Sequence, residues 1–287
     1  MTRPRHAPGR RRARTAFLLA PLLALAACSE APDAEPGQPL DVTHVHGLAV
    51  DPEDPQRVFV ATHEGLGAWT EDGVERVSGS TADFMGFTIG PDGTLYGSGH
   101  PGRGEDGPSS LGLIRSDDGG RSWEPVSLAG EADFHALAAD DDGVVGYDAN
   151  TGQLRLSPDG EQWEDVDAPD GFLDLAADPA SARFLGTTGQ GVLVASEDGG
   201  RTFDPVPEAP RLLLVDFFSD GTTLGVAADG SLQTGLADGS WEDSGARAGE
   251  GLQAMAVGPD GTVWVLDGEG LRRSTDRGRT LESVPGW

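Results

Sequence analysis

A short motif that recurs at a fixed interval constrains this chain more than any other feature. Its first copy is SDDGGRSW at 116–123, and later copies are SPDGEQW at 157–163, SEDGGRTF at 196–203 and STDRGRTL at 274–281. The opening serines are 41, 39 and 78 residues apart, so the last interval is twice 39. A degenerate copy, 234–241, lies within the double interval and ends in DGSW. A period of about 40 residues is typical of propellers, solenoids and other repeat arrays.

Short segments rich in Val, Leu, Phe and Trp flank each copy of the motif. They are separated by Asp-Gly and Pro-Asp-Gly turns, and no long stretch has a helical period. This pattern predicts four β-strands per repeat. The first strand of each repeat is expected at 45–51, 84–90, 134–140, 172–178, 213–219 and 252–258. The sequence therefore predicts an all-β protein, a six-bladed β-propeller of four-stranded blades that forms one domain over residues 42–287.

Each residue type in the motif has a mechanical role. The aspartate can accept hydrogen bonds from the backbone of its own turn, glycine supplies positive φ, and the aromatic residue packs the turn against the sheet. In this motif the chain resembles the Asp-box (BNR) repeat β-propellers, which include sialidases, sortilin-type receptors and bacterial lipoproteins described as sialidase-like or glycosyl hydrolase. The resemblance implies that the structural Asp-box residues are Ser116, Asp118, Gly120, Trp123, Ser157, Asp159, Gly160, Trp163, Ser196, Asp198, Gly200, Phe203, Ser274, Asp276 and Gly278.

The N-terminal segment has the features of a lipoprotein signal peptide. Residues 1–27 hold six arginines and no acidic residue, and the apolar run 16–27 is too short to be a stable membrane span. The run ends in Leu-Ala-Ala-Cys, which resembles a bacterial lipobox and implies that Cys28 is lipidated. A secreted protein anchored to the outer face of the cytoplasmic membrane is expected, with the acidic, Pro-rich residues 28–41 as its linker.

Charge and composition exclude several kinds of chemistry and partner. The formal net charge is −28, there is no lysine, and Cys28 is the only cysteine. A single cysteine allows no internal disulfide and no thiolate metal site, and the absence of lysine removes Schiff-base chemistry. Loss of residues 1–27, with their six arginines, makes the mature chain still more acidic. A nucleic acid partner is therefore not expected, and contact with the membrane is expected through the lipid on Cys28.

All five histidines that follow residue 27 lie in the first three predicted blades. In the first strands of these blades, one position holds His46, Met85 and His135, and the position two residues earlier holds His44, Asp83 and Asp133. The first of these positions in blades four to six holds Leu173, Leu214 or Val215, and Gln253. His63 and His100 end the second strands of blades one and two. Strand alternation and blade topology place these side chains on one face of the disc, near the mouth of the channel.

The types of ligand in this group suggest a metal. Imidazole with thioether favours copper, whereas imidazole with carboxylate favours zinc, iron or nickel. The sequence thus predicts a copper or zinc site, or a site for a small polar ligand, at His44, His46, His63, Met85, His100 and His135. The alternative is that these histidines are polar core residues that hydrogen-bond between blades. The only substantial insertion, 101–110, follows His100 and is expected on the same face as a lid, a partner contact or surface decoration.

The family resemblance raises two further functions. Sialidases use an arginine triad, a tyrosine nucleophile with a glutamate partner, and an Arg-Ile-Pro motif. This chain lacks Arg-Ile-Pro and has only Tyr96 and Tyr147, so its candidates for a glycosidase acid and base are the carboxylates of Asp83 and Asp133. The other function is a scaffold that presents loops to a protein of the cell envelope, as Asp-box assembly factors and receptors do. The sequence leaves open whether the protein is an enzyme.

Overall fold

The computed structural model describes residues 1–2, 35–166 and 171–287. Cys28 and residues 3–27 of the predicted signal peptide lie outside the described residues. The chain forms two compact units, Met1–Asp33 and Ala34–Trp287, and the second unit is the propeller. In the described part of the chain, no helix is long and apolar enough to cross a membrane.

The first three sheets of the propeller contain strands β1 to β12. Blade one consists of β1 to β4, which span Val45–Val50, Val58–Thr62, Gly65–Thr70 and Gly73–Arg76. Blade two consists of β5 to β8, which span Asp83–Ile89, Leu95–His100, Leu113–Ser116 and Glu124–Ser127. Blade three consists of β9 to β12, which span Phe134–Asp140, Gly143–Asp148, Gln153–Ser157 and Glu164–Val166.

The last three sheets contain β13 to β24. Blade four spans Phe172–Ala177, Phe184–Thr188, Leu193–Ser196 and Asp204–Pro205, which are β13 to β16. Blade five spans Leu212–Phe217, Thr223–Ala227, Ser231–Gly235 and Trp241–Arg247, which are β17 to β20. Blade six spans Ala254–Val257, Val263–Asp267, Gly270–Ser274 and Glu282–Ser283, which are β21 to β24. In each sheet the strands pair in chain order, and the paired strands are antiparallel. The six-bladed propeller predicted from the sequence is confirmed.

Apolar packing between neighbouring blades holds the ring together. A buried cluster that includes Val45, Trp69 and Trp264 joins blade one to blade six. Two hydrogen bonds reinforce this closure: the Val45 N–H donates to Gln253 Oε1 at 2.9 Å, and Trp69 Nε1 donates to the carbonyl oxygen of Pro285 at 3.0 Å. Among the described residues, no sheet contains strands from both ends of the chain. The ring is therefore closed by apolar packing between blades one and six and by these two hydrogen bonds.

Part of the segment predicted as a linker runs along the outer edge of blade one. The Gly37 N–H donates to the carbonyl of Arg76, and the Leu40 N–H donates to the carbonyl of Val74 at 2.8 Å. The Leu40 side chain is buried in the cluster between blades one and six. Residues 37–40 therefore cover the free edge of β4, which protects that strand from pairing with another chain.

The Asp-box turns join the third and fourth strands of their blades. In blade four, Ser196 Oγ accepts the Gly200 N–H and donates to Asp198 Oδ1, both at 2.8 Å. Asp198 also accepts the backbone N–H and the hydroxyl of Thr202. These bonds lower the pKa of Asp198 to about 2, with the Thr202 N–H as the largest cause. Bonds of the same type lower the pKa values of Asp118 and Asp276 to about 2. The motif therefore acts as a clamp on its turn.

The degenerate repeat of blade five forms its turn with fewer bonds. Asp238 Oδ1 accepts the N–H and the hydroxyl of Ser240, whereas Thr234 Oγ1 bonds Ser244 Oγ at 2.7 Å.

In blade three, Asp159 accepts the N–H groups of Glu161 and Gln162. The Trp163 indole donates to Ser127 Oγ of blade two, so this turn also ties two blades together.

Candidate metal centre and binding face

The first strands carry β-bulges at the positions that the sequence singled out. A bulge inserts one extra residue into a strand and re-aims its side chain, which is common beside functional sites. The pairing of β1 with β2 skips His46, the pairing of β5 with β6 skips Met85, and the pairing of β9 with β10 skips His135. Blades four and five have the same irregularity at Leu173 and Leu213. The position in blade five is therefore Leu213 and not Leu214 or Val215, because β17 begins one residue earlier than expected.

Three imidazoles meet on this face of blade one. His46 Nε2 lies 3.3 Å from His44 Nδ1 and 3.2 Å from His63 Nε2. The facing nitrogens of the three rings all lie within 4.8 Å of one another. His44 and His63 are exposed and His46 is half-buried. This cluster, called the His trio below, could hold a metal ion.

Asp83 of blade two orients one ring of the His trio. The His63 Nδ1–H donates to Asp83 Oδ1 at 2.7 Å. A neutral ring that donates from Nδ1 keeps its lone pair on Nε2, the atom that faces His46. A carboxylate that fixes the tautomer of a ligand histidine in this way is the usual outer partner of a metal site. Asp83 thus has a supporting position behind His63.

The environment keeps the central imidazole of the His trio uncharged. Burial, followed by the charges of the neighbouring His63 and His44, lowers the pKa of His46 to about 4. Three imidazoles this close cannot all be protonated, since like charges a few ångströms apart repel strongly. His46 is therefore neutral at physiological pH, which is the form that binds metals.

The remaining two histidines form a separate group around Asp133. The His135 Nε2–H donates to Asp133 Oδ2 at 3.0 Å, and His100 Nε2 lies 3.5 Å from the same oxygen. The hydrogen bond to Asp133 raises the pKa of His135. Burial acts to raise the pKa of Asp133, but His135 and His100 together lower it. Asp133 is only 5% exposed, and its buried Oδ1 has no hydrogen-bond partner.

The insertion after His100 is bonded to the same face. The His100 Nδ1–H donates to the carbonyl of Ser109 at 2.8 Å. Glu105 accepts the N–H groups of Thr81 and Gly102, which offset its burial and lower its pKa. Gly99 has a φ of +140°, and a Cβ there would collide with the carbonyl oxygen of Asp83, so glycine allows β6 to approach β5 just before His100. Residues 101–110 therefore form a clamped loop beside the Asp133 group.

A cavity of about 490 Å³ follows the axis of the ring and is lined by the first strands. His46, His135 and Leu173 border it at the histidine face. Its other end is bordered by the turns between first and second strands, which supply prolines and acidic residues such as Asp141 and Asp142. The two ends of the channel therefore differ in chemistry. The histidine face, meaning the end that carries the His trio and the Asp133 group, is the candidate functional site.

Two channel carboxylates had no signal that would distinguish them in the sequence. Asp174 Oδ2 accepts the Val215 N–H at 2.8 Å, and Asp216 Oδ2 accepts the Val257 N–H at 2.7 Å. Each bond joins the first strand of one blade to that of the next. Burial is the largest effect on both groups, and it raises the pKa of Asp174 to about 7 and that of Asp216 to about 6. The chain has 48 acidic residues, so only the structure singles these two out.

The structure gives the two candidate glycosidase carboxylates other partners. Asp83 is bonded to His63, and Asp133 is bonded to His135. A glycosidase general acid needs a raised pKa, and the pKa of Asp133 is lowered. Arg121 and Arg201 each bond the backbone oxygen of their own Asp-box aspartate and take no part in the histidine face. Both candidate carboxylates therefore serve as hydrogen-bond partners of histidines.

No protein-family model matches the chain. One relative with a known role is the photosystem II assembly lipoprotein Ycf48 of Synechococcus sp. (strain RCC307), which is 30% identical over 118 residues. That match covers 37% of this chain and 35% of the relative, so the chain spans about a third of the length of the relative it matches.

Solved structures with the same fold serve very different functions. YCF48 bound to a D1 peptide superposes with a TM-score of 0.54 at 17% identity, over 88% of this chain and 84% of that one. The GH74 xyloglucanase of Xanthomonas campestris has a TM-score of 0.59 at 20% identity, over 87% of this chain and 46% of that one. A gluconolactonase from the same organism has a TM-score of 0.61 at 15% identity, over 80% and 85%. At these identities the likeness establishes the propeller fold alone.

Proposed function

We propose that this protein is a lipid-anchored assembly factor that binds a peptide segment of a cell-envelope protein at its histidine face. The sequence similarity to Ycf48, an assembly lipoprotein, carries the proposal. A second observation supports it, since YCF48 with a bound D1 peptide has the same fold over most of both chains. The role belongs to the class of scaffold that the Asp-box resemblance implied.

The histidine face offers the groups that a peptide needs. Leu173 is 47% exposed at the channel mouth, where it can pack against an apolar side chain. The exposed imidazoles of His44 and His63 can donate or accept hydrogen bonds with a peptide backbone. A few convergent polar groups beside apolar surface are typical of such sites.

The N-terminal sequence sets the location in this proposal. Residues 1–27 direct secretion, the lipid on Cys28 anchors the mature chain to the outer face of the cytoplasmic membrane, and residues 28–41 act as the tether. The similarity to a lipoprotein supports this arrangement. The net charge of −28 disfavours nucleic acid as the partner.

Affinity capture from the native cell envelope tests the proposal. The full chain and two double variants, all solubilised in detergent, would be cross-linked and their partners identified by mass spectrometry. The first double variant, His46→Leu with His135→Leu, places leucine at these two bulge positions, as in blades four and five. We expect this variant to lose the partner. The second double variant, Asp141→Asn with Asp142→Asn, is the control. It alters the opposite mouth of the channel and should still capture the partner. Equal capture by both variants would place the partner site elsewhere.

A second candidate function is transition-metal binding at the His trio, and the nitrogen spacing favours it. With zinc–nitrogen bonds of about 2.0–2.1 Å, two ligands at a tetrahedral angle are about 3.3 Å apart. The observed separations of 3.2 and 3.3 Å agree with that value. Zinc and copper are the proposed ions, since both accept three imidazoles.

Elemental mass spectrometry after loading with zinc or copper tests this candidate. The structure separates the two histidine groups, so it predicts opposite results for two single variants. His63→Ala should abolish near-stoichiometric metal, because it removes one of the three facing nitrogens. His135→Ala should retain the metal, because His135 bonds Asp133 instead. Equal loss in both variants would mean that the metal is bound by another set of residues.

A further inference from the structure

The His trio supplies three ligands, whereas a tetrahedral metal ion takes four. In the described part of the chain, His44, His46 and His63 are the one group of three histidines or acidic residues whose ligand atoms all lie within 4.8 Å of one another. Sites with four protein ligands are structural and closed, and sites with three keep a position for an outside ligand. The count of ligands in this chain therefore fits the open class.

The nearby groups that might have completed the site are bonded elsewhere. Asp83 accepts the Nδ1–H of His63, on the side of the ring away from the facing nitrogens. Glu64 Oε1 accepts the Thr43 hydroxyl at 3.2 Å and its buried Oε2 has no hydrogen-bond partner, but neither oxygen lies within 4.8 Å of all three facing nitrogens. His100 and His135 both approach Asp133 Oδ2. None of these side chains therefore joins the three facing nitrogens as a fourth ligand in the structure.

The His trio is accessible from solvent. His44 and His63 are exposed, and His46 borders the channel cavity. A ligand that approaches the histidine face from solvent can therefore reach an ion held by the three nitrogens. The Asp133 group, in which Asp133 Oδ1 has no hydrogen-bond partner, lies on the same face. The charge of Asp83, which supports the His trio, contributes to the raised pKa of His135 in that group.

We propose that the metal ion of the His trio captures the partner directly: an imidazole or carboxylate side chain of the bound peptide fills its fourth coordination position. This rests on the proposed peptide binding and on the proposed metal at the His trio. Before binding, the fourth ligand is water. The peptide donor replaces that water, so one coordination bond breaks, one forms, and no electron is transferred.

Electrostatics explains why such capture depends on the metal. The chain carries a formal charge of −28, so without an ion the protein repels an approaching carboxylate. A divalent cation is the largest local charge in a site and inverts that potential nearby. Metal occupancy thus switches the face from repelling acidic side chains to binding them.

Cobalt substitution tests the open position on the full chain in detergent. Cobalt(II) in a tetrahedral site gives visible absorption bands that shift when a ligand is exchanged. We expect the loaded protein to show such bands and to shift them on addition of free imidazole. His63→Ala should show no bands. An unchanged spectrum in imidazole would mean that the coordination shell is closed, which would overturn the inference while leaving metal binding intact.

A pair of synthetic peptides tests the capture itself. Both are capped at each end and differ in one central residue, histidine or alanine. The zinc-loaded protein should bind the histidine peptide on the order of tenfold more tightly than the alanine peptide, and the metal-free protein should bind both equally. The Asp141→Asn variant, altered at the other channel mouth, should match the parent.

The remaining outcomes separate this inference from the two proposals on which it rests. If no metal binds at the His trio, both the metal candidate and the inference fail. If the native partner is captured equally by the zinc-loaded and metal-free protein, the assembly role stands and the inference fails. If partner capture requires zinc and is lost in His63→Ala, the inference holds.

Discussion

The two halves of the ring have the same backbone and different chemistry. Blades one to three place His46, Met85 and His135 at the bulge of the first strand, and blades four and five place Leu173 and Leu213 there. The bulge recurs in blades one to five and is absent from the pairing of β21 with β22 in blade six, whereas the side chain it presents is specific to each blade. The comparison teaches that the fold supplies equivalent positions whose side chains lie at the channel mouth. Function in this protein depends on which blades carry polar side chains at these positions.

The largest expected effect comes from making blade one resemble blade four. In His46→Leu the central nitrogen of the His trio is lost, so the two remaining imidazoles cannot form a three-ligand site. We expect zinc affinity to fall by more than about 100-fold, because loss of a direct ligand weakens binding more than loss of a residue that only hydrogen-bonds a ligand. Competition titration against a zinc-binding dye measures it. The cost in folding should be small, because the half-buried imidazole is replaced by an apolar side chain.

The next effect concerns the support for the His trio. Asp83→Asn keeps an oxygen that can accept the Nδ1–H of His63 but removes the negative charge. The ring becomes a weaker ligand, and zinc affinity should fall by roughly 10- to 100-fold. The same titration measures the change, with Asp92→Asn in the turn between β5 and β6, away from the histidine face, as the control. An unaltered affinity would show that Asp83 does not act through His63.

The acidic residues of the other half should make stability depend on pH. The folded pKa of Asp174 is about 7, above its value in the unfolded chain, so the folded state holds the proton more tightly between about pH 4 and 7. The contribution of this group to stability is therefore present at low pH and lost as pH rises through 7. Asp174→Asn cannot ionise, so the free energy of unfolding of the variant relative to the parent should improve from pH 4.5 to pH 8. The expected improvement is roughly 3 kcal/mol, since each unit of pKa shift is worth about 1.4 kcal/mol. Urea unfolding at the two pH values measures this, and a difference that does not change with pH would contradict the raised pKa.

The smallest expected effect comes from the reverse exchange. Leu173→His gives blade four the side chain of blade one, but the residues that surround His46 have no counterpart there. Since Leu173 is 47% exposed, the change in unfolding free energy should stay within about 0.5 kcal/mol. No additional zinc should bind. A second bound ion in elemental analysis would show that the bulge position alone is enough to make a site.

The fold and the common face of the histidines could be predicted because they depend on local patterns. The repeat interval gives the blades, and strand alternation gives the face on which a side chain lies. The division into two groups could not be predicted, since it depends on hydrogen bonds between blades. Asp83 and Asp133 look equivalent in the sequence, yet one supports His63 and the other bonds His135. Leu213 was missed because β17 begins at Leu212, and the run of three leucines, 212–214, does not mark the first residue of the strand.

The bond between Trp69 and Pro285 has a consequence for biogenesis. It joins residues 216 positions apart, and the bond from Val45 to Gln253 spans 208. A chain is synthesised from its N-terminus, so blade one emerges long before the residues of blade six that cover its flank. Contacts this distant in sequence also form slowly. Until then the surface around Val45 and Trp69 is apolar and uncovered, which makes blade one the part of the newborn propeller most in need of a chaperone.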